Sequence, residues 1–265
     1  MNSNNQLQFC FAIANNNCSF IGFVNGFPVF INVKGYAYNL SVPINPYILS
    51  GENNFSVLIS PSPGTDFISE VSECKVEVIV KEIDEIPADF RTIAMAEFPV
   101  GSANEELKIP FFKLEGKFEA KLPFKNYAWV DAKKMDKNKD KIIQPLYKQY
   151  KELHSLFGYK NENKISELIQ YREREFAAAY YEDFDAGFMA TRNLISETLT
   201  DPYFELQPFD PTKFIISFAA EGSIAFMHDK EYNQPICFIN QIKKIRREFP
   251  FYFMQTEDDD FIAIR

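Results

Sequence analysis

The chain has 265 residues, with 28 Lys+Arg against 37 Asp+Glu and a net charge of −9. That balance argues against a protein built to coat nucleic acid or an anionic membrane, because both need a positive field to displace counterions. Hydrophobic residues make up 46%, including 28 Phe and 13 Tyr, enough apolar surface to exclude wholesale disorder, and the length favours two domains.

Residues 1–17 lack a basic stretch followed by a long apolar one, and no window reaches the ~18 apolar residues of a membrane-spanning helix. The expectation is a cytoplasmic protein with no membrane partner. From Phe9 to about Val130, short apolar runs alternate with Asn, Gly, Pro and Ser clusters, the pattern of successive strands. Strands are predicted over 20–24 and 27–33, joined by Asn25-Gly26, which tolerates the positive φ of a type I′ turn. Others follow over 36–42, 54–60, 74–83, 90–98, 108–114 and 117–124, the last two joined by a turn at Glu115-Gly116. About eight strands predict an all-β sandwich over residues 1–130. Cys10, Cys18, Cys74 and Cys237 show no C-x-x-C spacing and read as buried thiols, a Cys10–Cys18 disulfide being expected only in an exported protein.

One stretch of that region, Val42-Pro43-Ile44-Asn45-Pro46-Tyr47-Ile48-Leu49-Ser50-Gly51-Glu52-Asn53-Asn54-Phe55-Ser56-Val57, resembles the N-P-x-h-x-x-G-x-N-x-h-x-V segment, h being apolar, of galactose-binding-like jelly-roll domains. The resemblance implies a jelly-roll-like sandwich in which this segment crosses into a strand, its glycine making the turn and its asparagine bonding loop backbone. It also implies a sugar as one possible class of ligand.

Residues 131–141 are rich in Lys and Asp and carry a single large apolar side chain, Met135, so the domain boundary is placed in this linker. Over 142–158, Leu146, Tyr147, Tyr150, Leu153 and Phe157 recur at helical spacing, with Pro145 in the first turn and Gly158 as the stop. Further helices are predicted over 163–183 and 186–199, then strands over 203–209, 214–218, 223–228, 235–242, 248–255 and 261–264. Three helices followed by an antiparallel meander over 142–265 resemble the NTF2-like or cystatin-like α+β architecture. That resemblance implies a curved antiparallel sheet wrapped round the helices and a conical pocket, for which His228, Glu175 and Tyr203 are the candidate polar groups.

Other constellations carry less chemistry. Asp136, Asn138 and Asp140 occupy the first, third and fifth positions of an EF-hand-like loop, but Lys141 stands where glycine makes the turn and Tyr147 where a bidentate Glu closes the shell. Lys137, Lys139 and Lys141 cancel the anionic field, so no metal is expected. The two histidines, His154 and His228, stand in no metal-ligand spacing; His154 reads as a core or edge residue of its helix. Glu175, Glu182 and Asp185, near Arg172 and Arg174, read as an exposed ion-pair face. Lys243-Lys244-Ile245-Arg246-Arg247, beside Phe249 and Phe251, reads as a polar rim or a contact for an acidic partner surface rather than a nucleic-acid site. With no phosphate loop and no G-x-S-x-G elbow, no cofactor is expected.

These observations point to a non-enzymatic binding protein, in concrete form a bacterial cytoplasmic inhibitor or immunity-type protein that meets a basic protein partner. The alternatives are a small-molecule binder or enzyme using the C-terminal pocket, and sugar recognition by the N-terminal sandwich.

Overall fold

The computed structural model describes residues 6–83, 90–98, 108–125, 132–135, 139–256 and 260–264, and the side chains of 139–141 lie outside the description. Two compact units divide the chain, Met1–Lys125 and Asn126–Arg265. The first is all-β among its described residues and the second combines three helices with short antiparallel strands.

In the first unit the strands are β1 (Leu7–Asn16), β2 (Cys18–Val24), β3 (Phe27–Asn32), β4 (Tyr38–Pro43), β5 (Gly51–Pro61), β6 (Glu73–Glu82), β7 (Arg91–Glu97) and β8 (Phe112–Ala120). They pair as two antiparallel sheets, in the orders β4-β1-β6-β7 and β3-β2-β5-β8. Period-two alternation sends Phe9, Phe11 and Ile13 of β1 and Val76, Val78 and Val80 of β6 into a common core with Phe55, Val57 and Ile59 of β5, as expected of a sheet buried on one face. The tight turn forms as predicted, with Asn25 at φ 49° and Gly26 at φ 82°, and keeps β2 and β3 in one sheet. A jelly roll pairs its first and last strands; here β1 and β8 belong to different sheets, so the strand order departs from the jelly-roll expectation.

The predicted turn at Glu115-Gly116 does not form. Both residues lie inside β8, where Gly116 pairs with Phe55, and a Cβ built on Gly116 would come within 2.3 Å of the Phe55 ring. Gly22 does the same for Phe11, with 2.7 Å to its ring, and the two rings meet edge-to-face at 6.2 Å. Both glycines are therefore spaces for rings rather than chain reversals.

The segment 43–53 does run from one sheet to the other, through a single 3-10 turn at Asn45–Tyr47. Buried Asn45 accepts from Phe9 N at 2.7 Å and donates to Leu7 O at 2.9 Å. Asn53 Oδ1 accepts from Leu49 N and from Asn25 Nδ2, each at 2.8 Å, while Asn25 Nδ2 also reaches Tyr47 O at 2.9 Å. The β2–β3 turn and the crossing loop are thereby fastened through one pair of amide side chains.

The second unit comprises α1 (Lys139–Gly158), α2 (Glu162–Tyr180), α3 (Phe184–Thr200), β9 (Phe204–Leu206), β10 (Ile215–Ala219), β11 (Ile224–His228), β12 (Cys237–Asn240), β13 (Ile245–Glu248), β14 (Tyr252–Gln255) and β15 (Phe261–Ala263). Asn161 caps α2 by accepting from Lys164 N, and Asp183 caps α3 by accepting from Ala186 N, each a favoured N-cap residue. Tyr181, left-handed at φ 58°, ends α2 short of the predicted residue 183. In place of one curved sheet there are two, β10-β11-β14-β15 and β13-β12-β9. The strand predicted over 248–255 is divided at Phe249-Pro250-Phe251, where the proline has no N–H for a ladder, and its two parts join different sheets. Leu146, Tyr150, Leu153 and Phe157 of α1 form one buried cluster with Met227, Phe238, Phe251 and Phe253.

Gly116→Ala is expected to lower the free energy of unfolding by about 1–3 kcal/mol, the cost of overpacking against the Phe55 ring. Urea unfolding followed by tryptophan-independent circular dichroism checks it. A midpoint equal to or above that of the parent chain, which is what Gly→Ala does at an open strand position, would contradict the packing.

Candidate functional site

Because α1 turns its Tyr150 stripe inward, the residues one to two positions away present the opposite stripe. Gln144, Tyr147, Lys148, Lys151, His154 and Ser155 line a groove of about 610 Å³ together with Phe209 and Pro211, which follow β9. From Gln144 to Ser155 the helix wall is about 16 Å long, at 1.5 Å per residue. Phe209 is held by ring contacts to Tyr150 at 6.4 Å and Phe214 at 5.6 Å, so the loop wall is anchored to the core on which α1 packs.

His154 joins the two walls. Its Nε2 lies 2.8 Å from Gln207 O, and since a carbonyl only accepts, Nε2 carries the proton and Nδ1 is the ring atom with acceptor capacity. Its ring lies 6.0 Å from that of Phe209. Lys148 and Lys151 supply two ammonium groups; Lys148 Nζ is 3.9 Å from Glu152 Oε1, an exposed i,i+4 contact of little energetic weight. Among the described residues no carboxylate side chain lines the groove. A second groove of about 330 Å³, between α1, α2 and β15, differs in kind: Leu156, Leu168, Tyr171 and Ile262 line it with Glu152 and Glu167.

The residues singled out in the sequence lie elsewhere. His228, at the end of β11, is buried; Nδ1 lies 2.6 Å from Asp229 O and therefore donates, leaving Nε2 to accept from Ser217 Oγ at 2.7 Å. This is the arrangement of a Ser–His pair, but the Tyr232 ring stacks on the imidazole at 3.8 Å, and His228 lines neither groove. Its role here is to tie β10 to the end of β11. Glu175, expected on an exposed ion-pair face, is buried on α2, whereas Glu182 and Asp185 are exposed, so the three do not share one environment. Neighbouring Glu173 is the residue paired with Arg172, at 2.8 Å, and it accepts from Thr191 Oγ1 at 3.0 Å. Tyr203 stands half-exposed ahead of β9. His228, Glu175 and Tyr203 are thus on β11, on α2 and in the turn before β9, outside both grooves.

Asp136 and Asn138 lie outside the described residues, as does the Asp140 side chain. Among the described residues no group of three or more His, Cys, Asp or Glu could hold a metal ion. The two arginines of the basic cluster are engaged within the unit: Arg246 Nε bonds Glu248 at 2.5 Å, while Arg247 donates to Thr198 Oγ1 at 2.9 Å, reaches Glu197 at 3.2 Å and covers the Phe204 ring. Arg247 thus fastens β13 to α3. No helix of the described residues is long and apolar enough to cross a membrane. Comparison with family models, curated proteins and solved structures returned no match.

Burial holds the His228 pKa below the usual imidazole value, against the opposing pull of the Asp229 carbonyl and carboxylate. The unfolded chain then binds the proton more readily, so the stability contributed by the neutral ring is complete above about pH 6.5 and is lost as pH falls toward the folded-state value. Thermal unfolding between about pH 7 and pH 5 is expected to lose more stability in the parent chain than in His228→Gln; equal losses would contradict the buried neutral ring.

Proposed function

We propose that the chain is a non-enzymatic binding protein, and that the groove along α1 receives an acidic, extended segment of a protein partner. What supports this most is the chemistry of the groove: two lysines, an imidazole, a phenol and a carboxamide on one helical stripe, with no carboxylate among the lining side chains of the described residues. A wall of about 16 Å matches roughly five residues of extended chain at ~3.3 Å each. Phe209, Pro211 and Tyr147 offer apolar contact between the charged positions, the usual mixture of anchor and orienting group in an interface.

An inhibitor or immunity-type role against a basic partner rests on net charge. Residues 1–130 carry 9 Lys+Arg and 14 Asp+Glu, and residues 131–265 carry 19 and 23, so the acid excess of −5 and −4 is shared by the two parts and marks neither as a dedicated face. A local basic groove on an acidic protein gives specificity by contrast with its surroundings, and makes binding sensitive to salt.

A fluorescein-labelled oligoglutamate peptide is expected to bind the full chain at low salt and to dissociate as salt rises. The double variant Lys148→Glu, Lys151→Glu is expected to weaken binding about tenfold or more, the worth of two exposed charge contacts reversed in sign. Fluorescence anisotropy reads both. Binding that ignores the double substitution, or an oligolysine peptide that binds better, would overturn the assignment.

A further inference from the structure

The sandwich places two cysteines together that are far apart in sequence. Cys18 opens β2 in one sheet and Cys74 is the second residue of β6 in the other. Both are buried, at 0% and 1% exposure, in one core cluster, and Cys18 Sγ lies 3.4 Å from the carbonyl oxygen of Glu73, the residue before Cys74. The surroundings fix this arrangement: Asn15 pairs with Cys74 across β1 and β6 and donates through Nδ2 to Cys18 O at 3.0 Å. The connection between β5 and β6 is fastened beside the pair, since Ser72 Oγ donates to Asn17 O at 2.6 Å.

We propose that Cys18 and Cys74 are a dithiol site that closes to a disulfide linking the two sheets of the sandwich. The electrostatics give the two sulfurs different parts. Donation from the Cys74 thiol, aided by the Asn15 side chain and the Asn16 backbone, lowers the Cys18 pKa against the effect of burial, while the same contact and burial raise that of Cys74. Exchange that begins at Cys18 leaves Cys74 as the resolving thiol.

The oxidant is a low-molecular-weight disulfide, with glutathione disulfide as the probe. The Cys18 thiolate attacks one of its sulfurs and expels one glutathione thiolate; Cys74, once deprotonated, attacks Cys18 Sγ, forms the protein S–S bond and expels the second. Two protein thiols are oxidised, one disulfide is reduced to two glutathione thiols, and the two thiol protons end on the released glutathione. Cys10 and Cys237 stand apart from this chemistry: burial raises the pKa of each, that of Cys237 to about 11.

Burial makes direct access slow, so the test begins from the unfolded chain. The reduced full-length protein is refolded from urea into a glutathione and glutathione disulfide buffer, alkylated under denaturing conditions and mapped by mass spectrometry without reduction. The expected result is one cross-linked peptide pair joining Cys18 to Cys74, short of two hydrogens, with Cys10 and Cys237 alkylated. The oxidised chain is expected to melt about 5 °C or more above the reduced one, because the cross-link restricts the unfolded state, and Cys74→Ala is expected to show no such oxidation-dependent rise. Four alkylated cysteines in the refolded protein, glutathione retained on Cys18, or a bond between any other pair overturns the proposal, and the peptide map decides even where the Cys74→Ala chain does not fold.

Discussion

The second unit depends on where one hydroxyl goes. The pairing of β11 with β14 runs through Ile224↔Met254, Ala225↔Phe253 and Phe226↔Tyr252 and stops there. At the next position Met227 N donates to the Tyr150 hydroxyl at 3.0 Å, and that hydroxyl donates to Phe251 O at 2.5 Å. A side chain from α1 thus completes the ladder at the point where the strands part, in a place with no exposure to water, where leaving either backbone group without a partner costs about 1–3 kcal/mol. Burial also raises the phenol's pKa, so it remains a donor across the accessible pH range. The helix is held in rotation as well as in position, and the face it turns outward, Tyr147, Lys148 and Lys151, follows from that.

The first unit rests on an analogous constraint, made of volume rather than polarity. Phe11 and Phe55 meet edge-to-face in the core, each ring lying over a glycine. At the end of the sandwich, buried Asn53 and half-buried Asn25 carry the polar load of a turn and a crossing loop. Where one partner is buried, such a satisfied amide pair specifies geometry, since an alternative leaves the Asn53 amide without its bonds.

Much of this was legible in the sequence, and what was not has physical causes. Asn25-Gly26 encodes its own turn through positive φ, and the Leu146–Tyr150–Leu153–Phe157 stripe encodes which face of α1 is buried. An asparagine bonding loop backbone was implied by the resemblance of the segment 42–57, and Asn53 does so. Gly116 was misread because a glycine between apolar runs marks either a reversal or a ring's resting place, and only the partner strand, some 60 residues away, distinguishes them. Pro250 was the available signal for the split strand at 248–255. The groove was hidden because its second wall, Phe209 and Pro211, lies more than 50 residues from His154, and local periodicity marks His154 only as a residue near the apolar stripe. The Cys18–Cys74 contact spans two sheets, and spacing arithmetic pointed instead to the nearer Cys10.

The inner face of α1 is committed to the core, and its outer face is the one proposed to meet a ligand. Amide chemical-shift mapping of the intact, isotope-labelled chain during titration with an acidic peptide tests it most directly. Perturbations are expected along residues 144–155 and 207–211, with the amides of Met227 and Phe253 unmoved. Perturbations centred on β11 and β14, or confined to the sandwich, would contradict it.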